Sequence, residues 1–184
     1  MAYTGTGQGG QFDPPRPLYT PAQRERRDTT AWTLVQGILA PLQFVVFLVS
    51  LGLIIRTMMT GAGYELATLS IVVKTLILYI IMITGAIWEK VVFGQYLFAR
   101  SFFWEDVFSM LVLALHSAYL VALFSASLTG EQLLILALAA YAAYVVNAVQ
   151  FVLKLRAARL QGQRESAPAV PAKQGYEQPA ELAT

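Results

Sequence analysis

Glu89, Glu105 and Asp106 stand in the stretch "TGAIWEKVVFGQYLFARSFFWEDVFSM", residues 84–110, and His116 follows shortly after it. These are the side chains best suited to moving a proton. His116 is the only histidine and there is no cysteine. Disulfides and thiolate metal sites are therefore excluded, and a bis-histidine haem cannot be built from one chain. What remains is acid–base chemistry. Burial disfavours the charged form of a carboxyl group, so an acid at an apolar site can hold a proton to donate. An imidazole exchanges protons near neutrality. On a helix, the step from Glu105 to His116 returns to within about 20° of the same direction. Glu105, Ser109, Val112 and His116 thus line one face, with Asp106 about 100° round and His116 about 16 Å deeper. The same stretch carries Lys90, Arg100, Trp88, Tyr96, Phe98, Phe102, Phe103 and Trp104. Cations can pair with a ligand carboxylate, and rings can stack on a flat apolar ligand or exclude water. An interfacial belt at a membrane surface gathers the same residue types.

The elements that must position these groups are apolar. Of the 184 residues, 57% are hydrophobic and only 13% charged, where soluble domains carry about a quarter charged. Four apolar segments run over about 32–55, 66–87, 107–128 and 133–153. Each is about 20 residues, the length that crosses roughly 30 Å of hydrocarbon as a helix. The first is too long for a signal peptide, and no small-residue cleavage pattern follows it. A soluble bundle would need a polar face that these segments lack. The expected fold class is all-α, an integral membrane four-helix bundle over residues 16–160 with disordered N- and C-terminal tails. The tails, 1–15 and 161–184, are rich in Gly, Gln, Ala and Pro and cannot bury enough apolar area to offset ordering entropy. "TPAQRERRD" predicts a short surface helix, with Thr20 as N-cap and Pro21 at N1.

Lys and Arg set the orientation. They flank the first span (Arg16, Arg24, Arg26, Arg27), follow the last (Lys154, Arg156, Arg159, Arg164, Lys173) and occupy the second connection (Lys90, Arg100). The first connection has none after Arg56, and the third, "SLTGEQ", has none. Both termini and the acid-bearing connection are therefore expected on the cytoplasmic side.

Several polar residues fall inside the spans. Gln36, Gln43 and Ser50 share a stripe on the first, which Pro41 is expected to kink. Lys74, in the second span, lies roughly 12 Å from its outer end and must either snorkel or face protein, water or a ligand. Gly85 lies on nearly the same face and leaves room for a close neighbour. In the fourth span Tyr141, Tyr144, Asn147 and Gln150 form a winding polar ribbon, suited to packing or to lining a cavity.

The stretches "RPLYTPAQRERRD", "WTLVQGILAPLQFVVFLVSLGL", "SIVVKTLILYIIMITGAIWEKVVFGQYLFA", "FFWEDVFSMLVLALHSAYL" and "LAAYAAYVVNAVQFVLKLRAARL" resemble the 3-vinyl bacteriochlorophyllide hydratase family, formerly called 2-vinyl. The resemblance spans roughly Arg16 to Leu160. It implies a hydro-lyase of bacteriochlorophyll biosynthesis that hydrates the C3 vinyl group of chlorophyllide or bacteriochlorophyllide to a 1-hydroxyethyl group. It also implies a phototrophic bacterium, with the chain in the inner or intracytoplasmic membrane. Such a reaction needs a general acid, a base and a water, and no cofactor, because Mg is part of the substrate.

On that chemistry, Glu105, Asp106 and Glu89 are candidate proton donors at a cytoplasmic mouth, where Trp88 and Trp104 would stack on the macrocycle. His116 is a candidate axial ligand to the substrate Mg or a proton carrier. Arg100 or Lys90 would pair with the substrate's propionate, Lys74 less readily. The alternative is a non-catalytic pigment-binding or carrier subunit; a small transporter or quinone-linked subunit has less behind it. The expected partners are the chlorophyllide and the lipid membrane, with no nucleic acid. A homo-oligomer, or contact with other pigment-biosynthesis enzymes, stays open.

Overall fold

The computed structural model describes residues 17–166, which form five helices: α1 (Pro21–Thr29), α2 (Ala31–Thr60), α3 (Tyr64–Phe93), α4 (Phe103–Phe124) and α5 (Gly130–Ser166). The last four are long and apolar enough to cross a membrane. The expected surface helix is α1. Thr20 caps it reciprocally with Gln23, Pro21 opens it, and Thr30 both closes it and caps α2. Helices α2 and α3 stop at Gly61 and Gly94, whose φ angles of 71° and 87° suit glycine far better than a residue with a Cβ.

The apolar segments locate the spans but not their ends. Helix α3 continues to Phe93, so Trp88, Glu89 and Lys90 belong to its last turns. Helix α4 opens at Phe103, which puts Glu105 and Asp106 in its first turn, where acids complement the free amides of a helix start. The connection between them therefore shrinks to residues 94–102. Hydropathy marks where hydrocarbon begins and ends, whereas a helix runs on into the headgroup layer. For the same reason α5 extends through 161–166, six residues past the expected boundary at 160. The expected tail 1–15, and residues 167–184 of the expected tail 161–184, lie outside the described residues. Pro41 sits within α2, which remains helical through it.

Helices α2 and α3 form one antiparallel pair and α4 and α5 a second. The pairs meet through α3–α4 and α2–α5, and α1 lies against α3. Phe47, Ile54, Ile71, Val112, Tyr119 and Tyr141 fill the centre. Apolar burial does little to join helices in lipid, where packing and polar bonds matter more. Such bonds occur between every adjacent pair. Gln36 Nε2 donates to Thr84 Oγ1 (2.8 Å) and the Ser50 and Ser70 hydroxyls meet at 2.7 Å, both between α2 and α3. Ser50 also meets the Tyr141 hydroxyl (2.6 Å) from α2 to α5, and Tyr79 meets Ser117 (2.9 Å) from α3 to α4. Asn147 Nδ2 donates to Ser109 Oγ (2.9 Å) between α4 and α5. The Gln36–Gln43–Ser50 stripe thus faces protein. Gly85 leaves room for Gln36, whose amide would lie 3.7 Å from an added Cβ.

Candidate active site

The expected site residues separate into three groups. The first lies where α3 ends and α4 begins. Glu89, Glu105 and Asp106 are all buried. Asp106 Oδ2 accepts from the Phe98 amide at 2.7 Å, and Glu89 Oε2 accepts from the Ala99 amide at 3.3 Å. The two acids thus accept from the amides of adjacent residues, at one turn of the chain. Two acids buried this close together disfavour carrying two negative charges at once. The amides of Phe98 and Ala99 reach the two acids because the chain bends sharply at Phe98, whose φ is 59°. That left-handed conformation costs a non-glycine residue about 1–2 kcal/mol, and the two carboxylate bonds offset it. Glu105 faces α5 instead, where Lys154 Nζ lies 3.0 Å from Oε1 and 3.2 Å from Oε2.

The aromatic residues divide between support and surface. Phe102 is buried and stacks on Phe151 at 6.2 Å; Trp88 meets Phe93 and Phe102 edge-on and donates Nε1–H to Thr33 Oγ1 (2.9 Å). Tyr19 completes this cluster by stacking on Phe93 at 5.7 Å under the Arg27 guanidinium, 4.8 Å from its ring. Burial raises the Tyr19 pKa above 10.0, so its phenol stays neutral and serves as a ring. Trp104, by contrast, is 67% exposed, and Tyr96, Phe98 and Phe103 are exposed beside it. Lys90 lies 5.3 Å from the Tyr96 ring and donates to the Gly94 carbonyl (2.8 Å), and Arg100 is exposed on the same connection. These residues form the second group, an open aromatic and cationic rim outside the acids. Trp88 stands behind it rather than on it.

The third group lies in mid-bundle. Lys74 and His116 are fully buried, with Nζ 2.9 Å from Nε2. His116 Nδ1–H donates to the Val112 carbonyl at 2.8 Å, which leaves Nε2 to accept from Lys74. The ammonium also lies over the Tyr144 and Tyr141 rings, at 4.1 and 5.0 Å. Lys74 therefore faces protein and does not snorkel. Both ring nitrogens of His116 are taken, and in this arrangement neither is open to an axial bond with a substrate Mg.

The middle of the bundle is packed: Phe47 meets Tyr141 and Tyr144 at 5.3 and 4.9 Å. Two open clefts lie elsewhere. One of about 280 Å³ is lined by Thr57, Tyr64, Gly130 and Glu131, and one of about 480 Å³ by Tyr19, Pro21, Arg24 and Asp28. Neither is lined by the acids or by the Lys74–His116 pair. Sequence reasoning put Lys154 at this end of the bundle but missed it as the partner of Glu105, and missed Tyr19 as part of the aromatic cluster. A signal existed for Lys154, which continues the α5 ribbon Asn147–Gln150 by one further turn.

The family profile of 2-vinyl bacteriochlorophyllide hydratase matches residues 19–157. A 2-vinyl bacteriochlorophyllide hydratase of Rhodobacter capsulatus is 66% identical over 150 residues, covering 82% of this chain and 87% of the relative. One of Cereibacter sphaeroides is 67% identical over 147 residues, covering 80% and 91%. No solved structure matches the chain.

Proposed function

The chain belongs to the 2-vinyl bacteriochlorophyllide hydratase family, and on that premise we propose that the Glu89–Asp106 carboxyl pair supplies the proton that starts its reaction. The enzyme is a hydro-lyase of bacteriochlorophyll biosynthesis, adding water to the vinyl group of a bacteriochlorophyllide. The relatives are named as enzymes, which displaces the reading of a non-catalytic carrier.

Hydration in the required sense puts hydrogen on the terminal vinyl carbon and leaves positive charge on the carbon attached to the macrocycle. The ring π system spreads that charge. Water then attacks, and a base removes its extra proton. The burial of Glu89 and Asp106 on the adjacent amides of Ala99 and Phe98 carries this assignment, because two acids buried at one turn of the chain disfavour a second negative charge and so keep a proton to donate beside the open rim. The amides of Phe98 and Ala99 fix both acids and spread the negative charge left after donation. Trp104, Phe103 and Phe98 offer ring faces to the macrocycle, and Arg100 and Lys90 offer cations to its propionate. Protons and water suffice for these steps, and Mg travels as part of the substrate. The protein sits in the inner or intracytoplasmic membrane with the rim and both termini on the cytoplasmic side, where the Lys and Arg residues collect.

Glu89→Gln and Asp106→Asn test the assignment. Each is expected to keep the helices and pigment binding while lowering turnover of vinyl chlorophyllide by about 10²–10⁴-fold, the usual worth of a general acid. Full activity in both variants excludes the pair as donor.

A further inference from the structure

A hydratase has a second substrate, water, and the acid cluster has a flank suited to hold it. Along the α4–α5 contact two polar rungs follow one another: Lys154–Glu105 at 3.0 Å and Asn147–Ser109 at 2.9 Å. Glu105 and Ser109 are one helical turn apart on α4. Lys154, Gln150 and Asn147 descend α5 at successive turns, so Gln150 falls between the rungs. The side-chain oxygens Asn147 Oδ1 and Gln150 Oε1 are buried and accept no hydrogen bond from the protein. The Asn147 side chain is otherwise fixed, since its nitrogen is given to Ser109. Two buried amide oxygens at successive turns of α5, both without donors, call for a donor molecule, and water is the smallest one available.

We propose that Asn147 and Gln150 hold the water that is added to the vinyl group. This rests on the hydratase reading and on the acids lying at this end of the bundle. A proton passes from the Glu89–Asp106 pair to the terminal vinyl carbon, making it a methyl group. The water oxygen gives an electron pair to the neighbouring cationic carbon and forms the C–O bond. Glu105, one turn above, takes the proton that this water sheds and releases it to the cytoplasmic side, from which the acid pair is reprotonated. The net change is addition of one water, with no oxidation.

The two half-steps can be separated in D₂O. Protonation that reverses before water attacks leaves deuterium on the terminal vinyl carbon of recovered substrate, whereas completed attack gives hydroxyethyl product. Purified full-length enzyme is incubated with vinyl chlorophyllide in D₂O, and both species are quantified by mass spectrometry. Gln150→Met and Asn147→Leu are expected to lower hydration at least ten-fold while deuterium still enters recovered substrate. Gln150→Glu, which keeps an acceptor, is expected to retain more hydration than Gln150→Met. Wild-type hydration in Gln150→Met overturns the proposal. So does a parallel fall of hydration and exchange in a Gln150→Met protein that still binds pigment. Gln150→Met leaves the Asn147–Ser109 bond in place, so the test stands even if Asn147→Leu fails to fold. Glu89→Gln and Asp106→Asn serve as the separate control. Exchange that persists there strikes the acid assignment alone, because the water site is read from the ratio of hydration to exchange.

Discussion

Lys74 and His116 form the most deeply enclosed polar contact among the described residues, and no carboxylate shares it. A lysine in hydrocarbon costs about 3 kcal/mol on insertion scales. Here the histidine nitrogen and two tyrosine rings offset part of that cost. Removing one partner leaves the other buried and unsatisfied, at about 1–3 kcal/mol, whereas removing both with apolar residues of similar size is close to neutral. Lys74→Met and His116→Leu are therefore each expected to lower the unfolding temperature in detergent, His116→Leu more, with the double variant recovering most of the loss. All three should bind chlorophyllide as the native chain does. A His116→Leu protein of native stability that no longer binds pigment would instead make the imidazole a ligand. At this scale the sequence was legible where periodicity decides the outcome. The spacing of Glu105, Ser109, Val112 and His116 places all four on the buried face of α4. It could not pair Lys74 with His116, or Glu105 with Lys154, because those contacts depend on how two helices are rotated against each other.

Between residue and bundle, the element that governs the acid pair is the connection 94–102, and residues 18–19, which lead into α1, hold that connection down. Ser101 Oγ donates to the Leu18 carbonyl at 2.8 Å, and Tyr19 packs on Phe93 and Phe102 at either end of it. On the far side of α1, Thr33 Oγ1 donates to the Arg27 carbonyl (2.6 Å) and accepts from Trp88. The amides of Phe98 and Ala99 can aim at Asp106 and Glu89 only while this arrangement stands. Ser101→Ala removes one bond worth about 1 kcal/mol, roughly five-fold in rate if all of it is felt at the acids. We expect Ser101→Ala and Tyr19→Leu to lower kcat several-fold with the KM for chlorophyllide little changed. Their combination should be less than additive, since both act through one loop. Unchanged kcat in both variants would make α1 a surface attachment with no bearing on the acids. The capping pattern made α1 itself readable. The hold of residues 18–19 on the connection was not, because the Ser101–Leu18 bond links residues 83 positions apart, and no local rule reaches that far.

The whole molecule has two unlike ends. Arg24, Arg26, Arg27, Lys90, Arg100, Lys154, Arg156 and Arg159 gather at the end that carries α1 and the acids. At the other end the connection 61–63 has no basic residue, and neither has 125–129. By the positive-inside tendency we propose that the acid end faces the cytoplasm. The water and proton supply proposed for the reaction then come from that side. Because the chain has no cysteine, one introduced thiol reports its own side of the membrane without a background. Ala62→Cys and Gln95→Cys sit at opposite ends, at exposed positions, and neither side chain touches an acid directly. In intact cells stripped of outer wall, a membrane-impermeant maleimide is expected to label Ala62→Cys at once and Gln95→Cys only after lysis. Inside-out vesicles should reverse the order. Gln95→Cys labelled in intact cells would turn the molecule over and place the acid pair on the side opposite the basic clusters. The rim could then not receive a substrate from the cytoplasm, and the proton donor would have to be sought among groups at the 61–63 end, where Glu65 and Glu131 are the carboxylates.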